Sequence, residues 1–597
     1  MRPDPSGAAG HLASAATRAA WDFSRIEEFW VQWKPLTPWG RDHKEARAVP
    51  AEAAAIEQRL DHIDDWEAFE ARVRGTGEAG QARLDRIAWH LGRVPRLPDG
   101  LAAGEGSLDL VDLFVTGKFI YNYTEIARLA DSGAREAFGL EPAPAAVAAL
   151  LGAGGADRES FGLSDAYDPR LGALRSRIAA IDATLAESRG SLEARALAEA
   201  GIDFAGRDFV LVPLEVFAAA EGSCEELFDL ESWDGRSHVL RLRPAHGDLA
   251  LRDERARLLD EERGIEAEVL GRLSAAVMAG AEDLGRRAVA LTLLDLARSR
   301  AALCGGGGFC RPEFAPEADP PLVVSGGRLL PLEKRCADTG TAYTALDLEL
   351  PERAAVIFGS NMGGKTVALE TLLFLQILAQ CGFRVPARRF ASRIHPLVHY
   401  VGEGGAEPSA AGEGMKVESS SRVRRAEVAA SRSQGGLSGF GREIRSFVES
   451  EAWSREGALL AFDEFARTTG SREAEALLSA ALEHLAALPG AKCLFSTHFG
   501  GVARLPGVRY LRMRGLDREA AVGVDAAAGA SATPDSGLGL IARINALMRY
   551  QLVEDSGEAV DSDAILIAGL LGLDASIVGR AADYYAPARG GRRGSGA

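Results

Sequence analysis

The chain has 597 residues, of which 47% are hydrophobic and 26% charged, and its formal net charge is −17. This composition predicts a soluble globular protein with room for several hydrophobic cores. The negative charge excludes a broadly basic surface that coats nucleic acid, although a local basic channel is compatible with it. There is no run of 18 apolar residues and no apolar N-terminal stretch, so we expect a cytoplasmic protein without a membrane span.

Two residue types are used unusually. Lysine occurs seven times against 61 arginines, so each retained lysine marks a place where arginine is a poor substitute. Six cysteines are scattered along the chain without a C-x-x-C pair. This argues against a zinc site or a disulfide framework and is typical of a reducing compartment.

The first half of the chain reads as mostly helical. Residues 1–50 are rich in Ala, Pro and Arg, and we interpret them as a loosely held N-terminal extension. From 51 to 200, apolar residues recur at helical spacing. Short β-branched runs between 203 and 245 predict paired strands. A charged helix from Asp248 to Arg300 would span ~75 Å and form a lever or arm.

The second half has the pattern of an α/β nucleotide-binding layer, because short apolar strands alternate with helices after Gly308. The strand-like runs PLVVSGGRLLPL, ALDLELP and AAVIF lead into a glycine-rich turn. A low-complexity stretch at 402–436 is predicted to be a mobile loop.

The glycine-rich turn lies in VIFGSNMGGKTVALE, residues 356–370. In a G-x-x-x-x-G-K-[ST] loop, backbone N–H groups surround the phosphates, the lysine reaches the β and γ oxygens, and the hydroxyl binds Mg²⁺. A chance turn is the alternative, but a strand before it, a helical pattern after it and a rare lysine within it favour a nucleotide site. The pattern residues are Gly359, Gly364, Lys365 and Thr366, and those between are Ser360, Asn361, Met362 and Gly363.

Two further strands end in residues suited to ATP hydrolysis. In GALLAFDEFAR, Asp463 would bind Mg²⁺ and Glu464 would be the general base for the attacking water. A D-E pair that merely caps a helix is the alternative. In KCLFSTHFGG, His498 follows a buried strand and is placed to sense the γ-phosphate, whereas alone it would be an ordinary surface histidine.

These motifs, in this order, resemble the MutS family of ABC-type ATPases. The matches are GSNMGGKT to the family's P-loop, DEFARTT to its acidic motif, STHF to its histidine motif and LSGFGREI to its signature loop. The signature match carries over Ser438, Phe440 and Glu443. The resemblance implies a homodimer that binds ATP and Mg²⁺, in which this loop of one subunit completes the nucleotide site of the other.

The expected fold class is α plus α/β, with several domains. After the 1–50 extension we expect a helical core and lever with a small β clamp at 51–320. An ABC-type P-loop ATPase domain at 321–597 would then end in helices that the resemblance assigns to dimerisation.

The chain also departs from the family pattern. Few residues precede the core and we find no convincing Phe-x-Glu wedge motif, so we expect no mismatch-binding domain. Arg467-Thr468-Thr469 stands where mismatch-repair members usually have Arg-Gly-Thr. Residues 236–263 hold seven arginines and six acidic residues, a balance that promises no strong grip on DNA phosphates.

Two functions remain open. In the first, ATP drives a clamp that acts on duplex or branched DNA, as in mismatch repair. In the second, the chain resembles the proposed reactivase ATPases of adenosylcobalamin-dependent lysine 5,6-aminomutase, and its partners would be that aminomutase and a small reactivase subunit. A structural ATP-binding dimer without turnover is a third reading, which the intact acidic motif disfavours.

Overall fold

The computed structural model describes the chain in ten ranges: 14–103, 107–142, 163–215, 224–232, 235–315, 319–360, 363–402, 439–518, 545–557 and 563–585. These form two compact units. The first takes the chain up to Gly92, residues 129–140 and the chain from Val289 onward, and the second takes 93–128 and 141–288. The predicted loop at 402–436 lies, apart from Gly402, outside the described residues.

The strands of the described residues are β1 Val210–Pro213, β2 Phe228–Ser232, β3 Ser237–Leu242, β4 Glu313–Phe314, β5 Leu322–Gly327, β6 Leu346–Leu350, β7 Ala354–Phe358, β8 Arg389–Ser392, β9 Val398–Val401, β10 Leu459–Asp463, β11 Lys492–Thr497, β12 Val508–Leu516 and β13 Met548–Glu554. They form three sheets, in the orders β1-β3-β2, β13-β12-β7-β11-β10-β9 and β4-β8-β5-β6.

The helices are α1 Arg18–Phe23, α2 Ile26–Trp30, α3 Pro38–Ala46, α4 Ala53–Arg74, α5 Glu78–Leu91, α6 Asp99–Ala103, α7 Leu110–Leu129, α8 Ser132–Phe138, α9 Pro169–Ala200, α10 Cys224–Leu227, α11 Asp248–Ala279, α12 Ala281–Cys304, α13 Leu330–Thr339, α14 Lys365–Gln380, α15 Gly439–Ser454, α16 Ser471–Ala486, α17 Asp563–Leu570 and α18 Ala575–Tyr585. A mixture of helices and sheets is therefore confirmed. Within the described ranges, no helix combines the length and apolar character needed to cross a membrane.

The six-stranded sheet is the centre of the first unit. β9, β10, β11, β7 and β12 run parallel, and β13 is antiparallel at one edge. The central strands are buried on both faces, as their continuous apolar runs predict. α14 packs in the core on one face with hardly an exposed residue, whereas α16 contributes to a second apolar cluster with Phe462 and Phe495.

Two expectations need correction. The single long helix predicted from Asp248 to Arg300 is two helices, because α11 ends at Ala279 and α12 begins at Ala281 on either side of Gly280. The loosely held character of 1–50 is also wrong for its described part. Residues 14–50, the N-terminal segment, bury their aromatic side chains in the same core as α14.

The second unit contains the predicted paired strands and helices of the arm. β1 and β3 pair, as predicted, and they run antiparallel; β2 adds a third strand that the sequence pattern did not indicate. α9 and α11 pack along each other. Residues from the end of α9, including Ala196, pack with Phe228 and Leu240 in a small apolar cluster under the three-stranded sheet.

Candidate functional site

The glycine-rich turn joins β7 directly to α14. Gly364 has φ = +90°, a backbone conformation that only glycine adopts readily, and a Cβ there would lie 3.0 Å from the ring of Tyr550. α14 then begins at Lys365. The turn therefore has the strand, loop and helix geometry of a phosphate site at a helix N-terminus.

Lys365 is bound to the loop itself. Its Nζ donates to the carbonyl oxygens of Gly359 at 2.8 Å and Ser360 at 3.0 Å, and the residue is only 3% exposed. Burial lowers the pKa of Lys365, whereas the nearby carboxylates of Glu464 and Asp463 act to raise it. The ammonium is thus held at the loop, close to both acidic side chains.

Two other residues of the loop, Ser360 and Gly363, are also described. The Ser360 hydroxyl is buried and makes no hydrogen bond to the described residues, so it is a polar group suited to a ligand. A Cβ on Gly363 would lie 3.0 Å from the Ser360 carbonyl oxygen and 3.5 Å from Met513 Cβ, so this position is closely packed. Asn361 and Met362, which the motif also includes, lie outside the described residues.

The sheet register brings the acidic motif to the P-loop. β11 lies between β7 and β10, with Asp463 opposite Ser496. Asp463 accepts a hydrogen bond from the Thr366 hydroxyl at 2.9 Å, and its other oxygen accepts one from the hydroxyl of Ser496. A hydroxyl and a carboxylate side by side are the hard oxygen ligands that Mg²⁺ prefers.

Glu464 is held by two contacts that the sequence analysis missed. Its backbone has φ = +54°, and its N–H donates to Ser496 Oγ at 3.1 Å. Its carboxylate accepts a hydrogen bond from Arg467 at 2.9 Å. The spacing of three residues between Glu464 and Arg467 could have indicated their contact from the sequence. The role of Ser496 depends on strand register, which the sequence does not give.

His498 lies at the same edge of the sheet. It follows Thr497, which pairs with Phe358 immediately before the P-loop. The imidazole is exposed, and its ring centroid lies 4.3 Å from that of Phe499. The position is therefore near the loop, but the described contact of the ring is with its neighbour in the chain.

The signature residues are brought only partly to the site. Ser438 lies outside the described residues, and Phe440 and Glu443 occupy the first turns of α15. Glu443 accepts a hydrogen bond from the Thr468 hydroxyl at 3.2 Å within the same chain. The start of α15 is therefore linked to the residues that follow Glu464, a connection that the sequence did not predict.

A buried carboxylate, that of Glu370, also lies on the P-loop helix, one turn beyond Thr366. Glu370, on α14, is 6% exposed and accepts a hydrogen bond from Arg25 of the N-terminal segment at 3.1 Å. Burial raises the pKa of Glu370, Arg25 opposes this shift, and the charge of Asp463 adds to it. Neither residue was predicted, because 345 positions separate them in the chain.

Comparison with known proteins gives a consistent set of relatives. No model of a known protein family matches the chain. The DNA mismatch repair protein MutS of Paracoccus denitrificans is 32% identical over 258 residues, 42% of this chain and 26% of that protein. MutS of Granulibacter bethesdensis is 29% identical over 297 residues, 49% of this chain and 29% of that protein.

A fungal protein gives the same result. The DNA mismatch repair protein MSH3 of Chaetomium globosum is 30% identical over 257 residues, 41% of this chain and 20% of that protein. The chain thus spans between a fifth and three tenths of the length of these relatives. The predicted resemblance to the MutS family is confirmed, and the chain is similar to MutS proteins over about two fifths of its length.

Proposed function

We propose that this chain is a MutS-type ATPase that binds ATP with Mg²⁺ and hydrolyses it to ADP and phosphate. The observation that supports this most directly is the 2.9 Å hydrogen bond from Thr366 to Asp463. It joins the P-loop to the acidic motif, 97 positions away in the chain. Relatives that are DNA mismatch repair proteins by name support the same reading.

Each residue of the site has a role in this proposal. Lys365 leaves the carbonyls of the loop to contact the β and γ oxygens, and Thr366 and Asp463 hold Mg²⁺. Bound Mg²⁺ would neutralise charge on these phosphates. Glu464 takes the proton of the attacking water once Arg467 releases its carboxylate, and His498 senses the γ-phosphate. The partner subunit's signature loop, with the counterparts of Ser438, Phe440 and Glu443, would close the site.

A homodimer is supported by the C-terminal helices. The side chains of α17, α18 and the turn between them include apolar residues that are about half exposed or more. Soluble proteins rarely leave such a concentration uncovered, and a second copy of the chain would cover it. The exposed side chains are Leu566, Leu571, Leu573, Ile577, Tyr584 and Tyr585.

DNA is the first candidate for what the arm holds, because the relatives are DNA mismatch repair proteins by name. A partner protein, such as an aminomutase to be reactivated, is the second candidate. It is favoured by the ion pairs of the arm, where arginines are bound to carboxylates of the arm itself. Arg175, for example, contacts Asp165, Glu262 and Glu266.

ATP turnover tests the proposal. We expect magnesium-dependent hydrolysis that Lys365→Ala abolishes together with ATP binding, and that Lys334→Ala, at an exposed lysine of α13, leaves unchanged. If Lys365→Ala keeps full ATP affinity and turnover, the proposed site is wrong. Duplex, heteroduplex and branched DNA, and separately an aminomutase, are then added at low salt. The additive that stimulates turnover identifies the class of substrate.

A further inference from the structure

The N-terminal segment, residues 14–50, follows the P-loop helix from its nucleotide end. Arg25 contacts Glu370, which lies one turn beyond Thr366 on α14. One further turn along, Phe374 packs edge-to-face against Phe29, with ring centroids 5.9 Å apart. Each turn in this part of α14 is therefore in contact with the segment.

The contact continues past the end of α14. The ring of Phe383 lies 5.7 Å from Phe29, 5.8 Å from Trp30 and 5.2 Å from Trp33. All four side chains are at most 3% exposed. Close-packed aromatic groups of this kind do not shift independently, because each move opens a void beside its neighbour.

The same segment is fixed to α12. The fully buried carboxylate of Asp295 accepts hydrogen bonds from the backbone N–H groups of Leu36 and Thr37, both at 2.7 Å, and from the Thr37 hydroxyl at 3.0 Å. Four residues along the helix, Ser299 accepts a hydrogen bond from Trp33 Nε1 at 2.8 Å. Charge-assisted bonds to buried backbone groups make this a firm attachment.

The segment also holds the strand beside Asp463. Thr17 donates its backbone N–H to Val398 at 3.0 Å, and the ring of Phe23 stacks on Tyr400 at 3.6 Å. Gly402, just after this strand, is close enough to Asp463 that a Cβ there would lie 3.1 Å from the Asp463 Cβ. The segment is thus attached to both sides of the proposed metal site.

Arg25 itself has a backbone conformation unusual for its type. Its φ is +56°, in the left-handed region, at the turn between α1 and α2. Such a conformation persists in a non-glycine residue where surrounding contacts hold it, and it often marks functional sites. Here Arg25 is paired with Glu370, its backbone N–H donates to Asp22 at 3.2 Å, and Ile26 beside it is buried.

From these contacts we infer that the N-terminal segment couples the nucleotide site to α12, with the Arg25–Glu370 pair as its joint. The inference rests on the proposed function. When Lys365 leaves its carbonyl partners for a phosphate, the first turns of α14 adjust. The segment, held to α14 by the ion pair and the aromatic cluster, passes this adjustment to Asp295 and Ser299. A coupling of this kind has a physical path through packed and hydrogen-bonded groups.

Hydrogen exchange of the full chain tests this directly. Glu464→Gln serves as the parent, because it should bind ATP without hydrolysing it. Exchange is followed at 359–370 and at 289–304, with and without magnesium and ATP. In the parent we expect both ranges to respond, and 289–304 to change its exchange rate ~10-fold, the size of a typical allosteric coupling.

The deciding variant adds Arg25→Met and Glu370→Gln to the parent, so that no buried carboxylate is left without its partner. We expect the response at 359–370 to persist and that at 289–304 to be lost. Arg47→Met is the matched control, because Arg47 pairs with Glu27 inside the segment, and it should keep both responses. Arg25→Lys, which preserves the cation, should also keep them.

The outcomes separate the inference from the proposed function. An unchanged response at 289–304 in the deciding variant overturns the coupling, as does a parent in which only 359–370 responds. If 359–370 does not respond to ATP even in the parent, the proposed function fails, and the coupling fails with it. A response at 359–370 in the deciding variant also shows that this variant is folded.

Discussion

The two units of the chain use charged residues in opposite ways. In the first unit, decisive charges are buried and bound to the backbone: Lys365 to carbonyl oxygens of the P-loop, and Asp295 to N–H groups of the N-terminal segment. In the arm helices of the second unit, charges pair with one another in solvent. Arg177 and Glu254, 63% and 40% exposed, are typical.

This difference shows which charged residues carry information about function. A buried charge is costly unless its partners are in place, so each such residue defines a specific arrangement. An exposed pair contributes little and can be replaced by many others. The buried charges of the first unit therefore define a specific candidate site, whereas the exposed pairs of the arm do not indicate what the arm holds. Substitutions of buried charges in the first unit and of exposed charges in the arm should therefore change activity or stability by very different amounts.

The largest effect is expected at the proposed base. Glu464→Gln keeps the size of the side chain but cannot accept a proton, so kcat should fall ~100- to 10,000-fold while ATP still binds. Turnover and ATP affinity are measured together, with Glu483→Gln, on the exposed face of α16, as the matched control. Unchanged turnover in Glu464→Gln would remove the residue from this role.

Asp295→Ala should cause the largest loss of stability. It removes the acceptor of four hydrogen bonds, one of them from Arg298, and takes away the acceptor of the backbone N–H groups of Leu36 and Thr37. We expect the free energy of local opening to fall by ~3–5 kcal/mol. Native-state hydrogen exchange at these two amides measures it. Asp182→Ala, which breaks an arm pair with Arg255, should cost less than ~1 kcal/mol.

That the residues of the proposed nucleotide site meet at one edge of the sheet could be predicted from the sequence, because their positions follow local rules. The P-loop is a contiguous motif, and Asp463 and His498 each follow the apolar run of a buried strand. Parallel strands end at the same edge, so these residues had to converge. The sequence could not give Ser496 its role beside Asp463 and Glu464, because that role depends on register.

The burial of the N-terminal segment was not predicted, for a different reason. Its aromatic run WDFSRIEEFWVQW has no clear helical or strand period, and its partners lie far away in the chain, as Arg25 and Glu370 show. A composition rich in Ala, Pro and Arg then favoured an exposed extension. Five aromatic residues within thirteen positions were the signal that the segment is buried.

The scarcity of lysine was a better indicator of positions where a side chain has specific partners. Besides Lys365, Lys492 donates to the carbonyls of Leu350, Pro351 and Glu352, and Lys44 donates to Val31 and Trp33. A compact ammonium can direct its donors to several carbonyls in a small space, whereas a planar guanidinium cannot. At these three sites, the retained lysine has the carbonyl partners that explain it.

A buried histidine of the first unit should make the stability of that unit depend on pH. His395 is fully buried, and its Nδ1 donates to the Gly457 carbonyl at 2.8 Å. Burial lowers the pKa of His395 to about 3, while the unfolded chain should protonate it below ~6.5. Its contribution is therefore complete above pH ~6.5 and is lost as the pH falls toward 3, by ~1.4 kcal/mol per pH unit.

His395→Gln tests this, because glutamine can still donate to Gly457 but does not titrate. The variant's unfolding free energy should fall less than that of the unaltered chain between pH 7 and pH 5, by ~2 kcal/mol. Urea unfolding of the first unit, at both pH values, gives the difference. Burial also lowers the pKa of His43 and His399 to about 3, so some slope should remain. Equal slopes would contradict the assignment.

The smallest change in stability is expected for substitutions in the arm. These substitutions nevertheless discriminate best between the two candidate partners, DNA and a protein. Arg177→Met, Glu254→Gln and the double variant form a cycle whose coupling free energy should be ~0.2–1 kcal/mol, since both side chains are exposed.

If the arm grips DNA, phosphates must compete with Glu254 for Arg177. Arg177→Met should then reduce the slope of log K against log salt by ~1, and Glu254→Gln should strengthen binding. If the arm holds a protein, neither variant should alter the affinity for DNA or its salt dependence. An arm whose arginines already have carboxylate partners gains little from phosphate, so an unchanged salt dependence in both variants would count against DNA as the molecule that the arm holds.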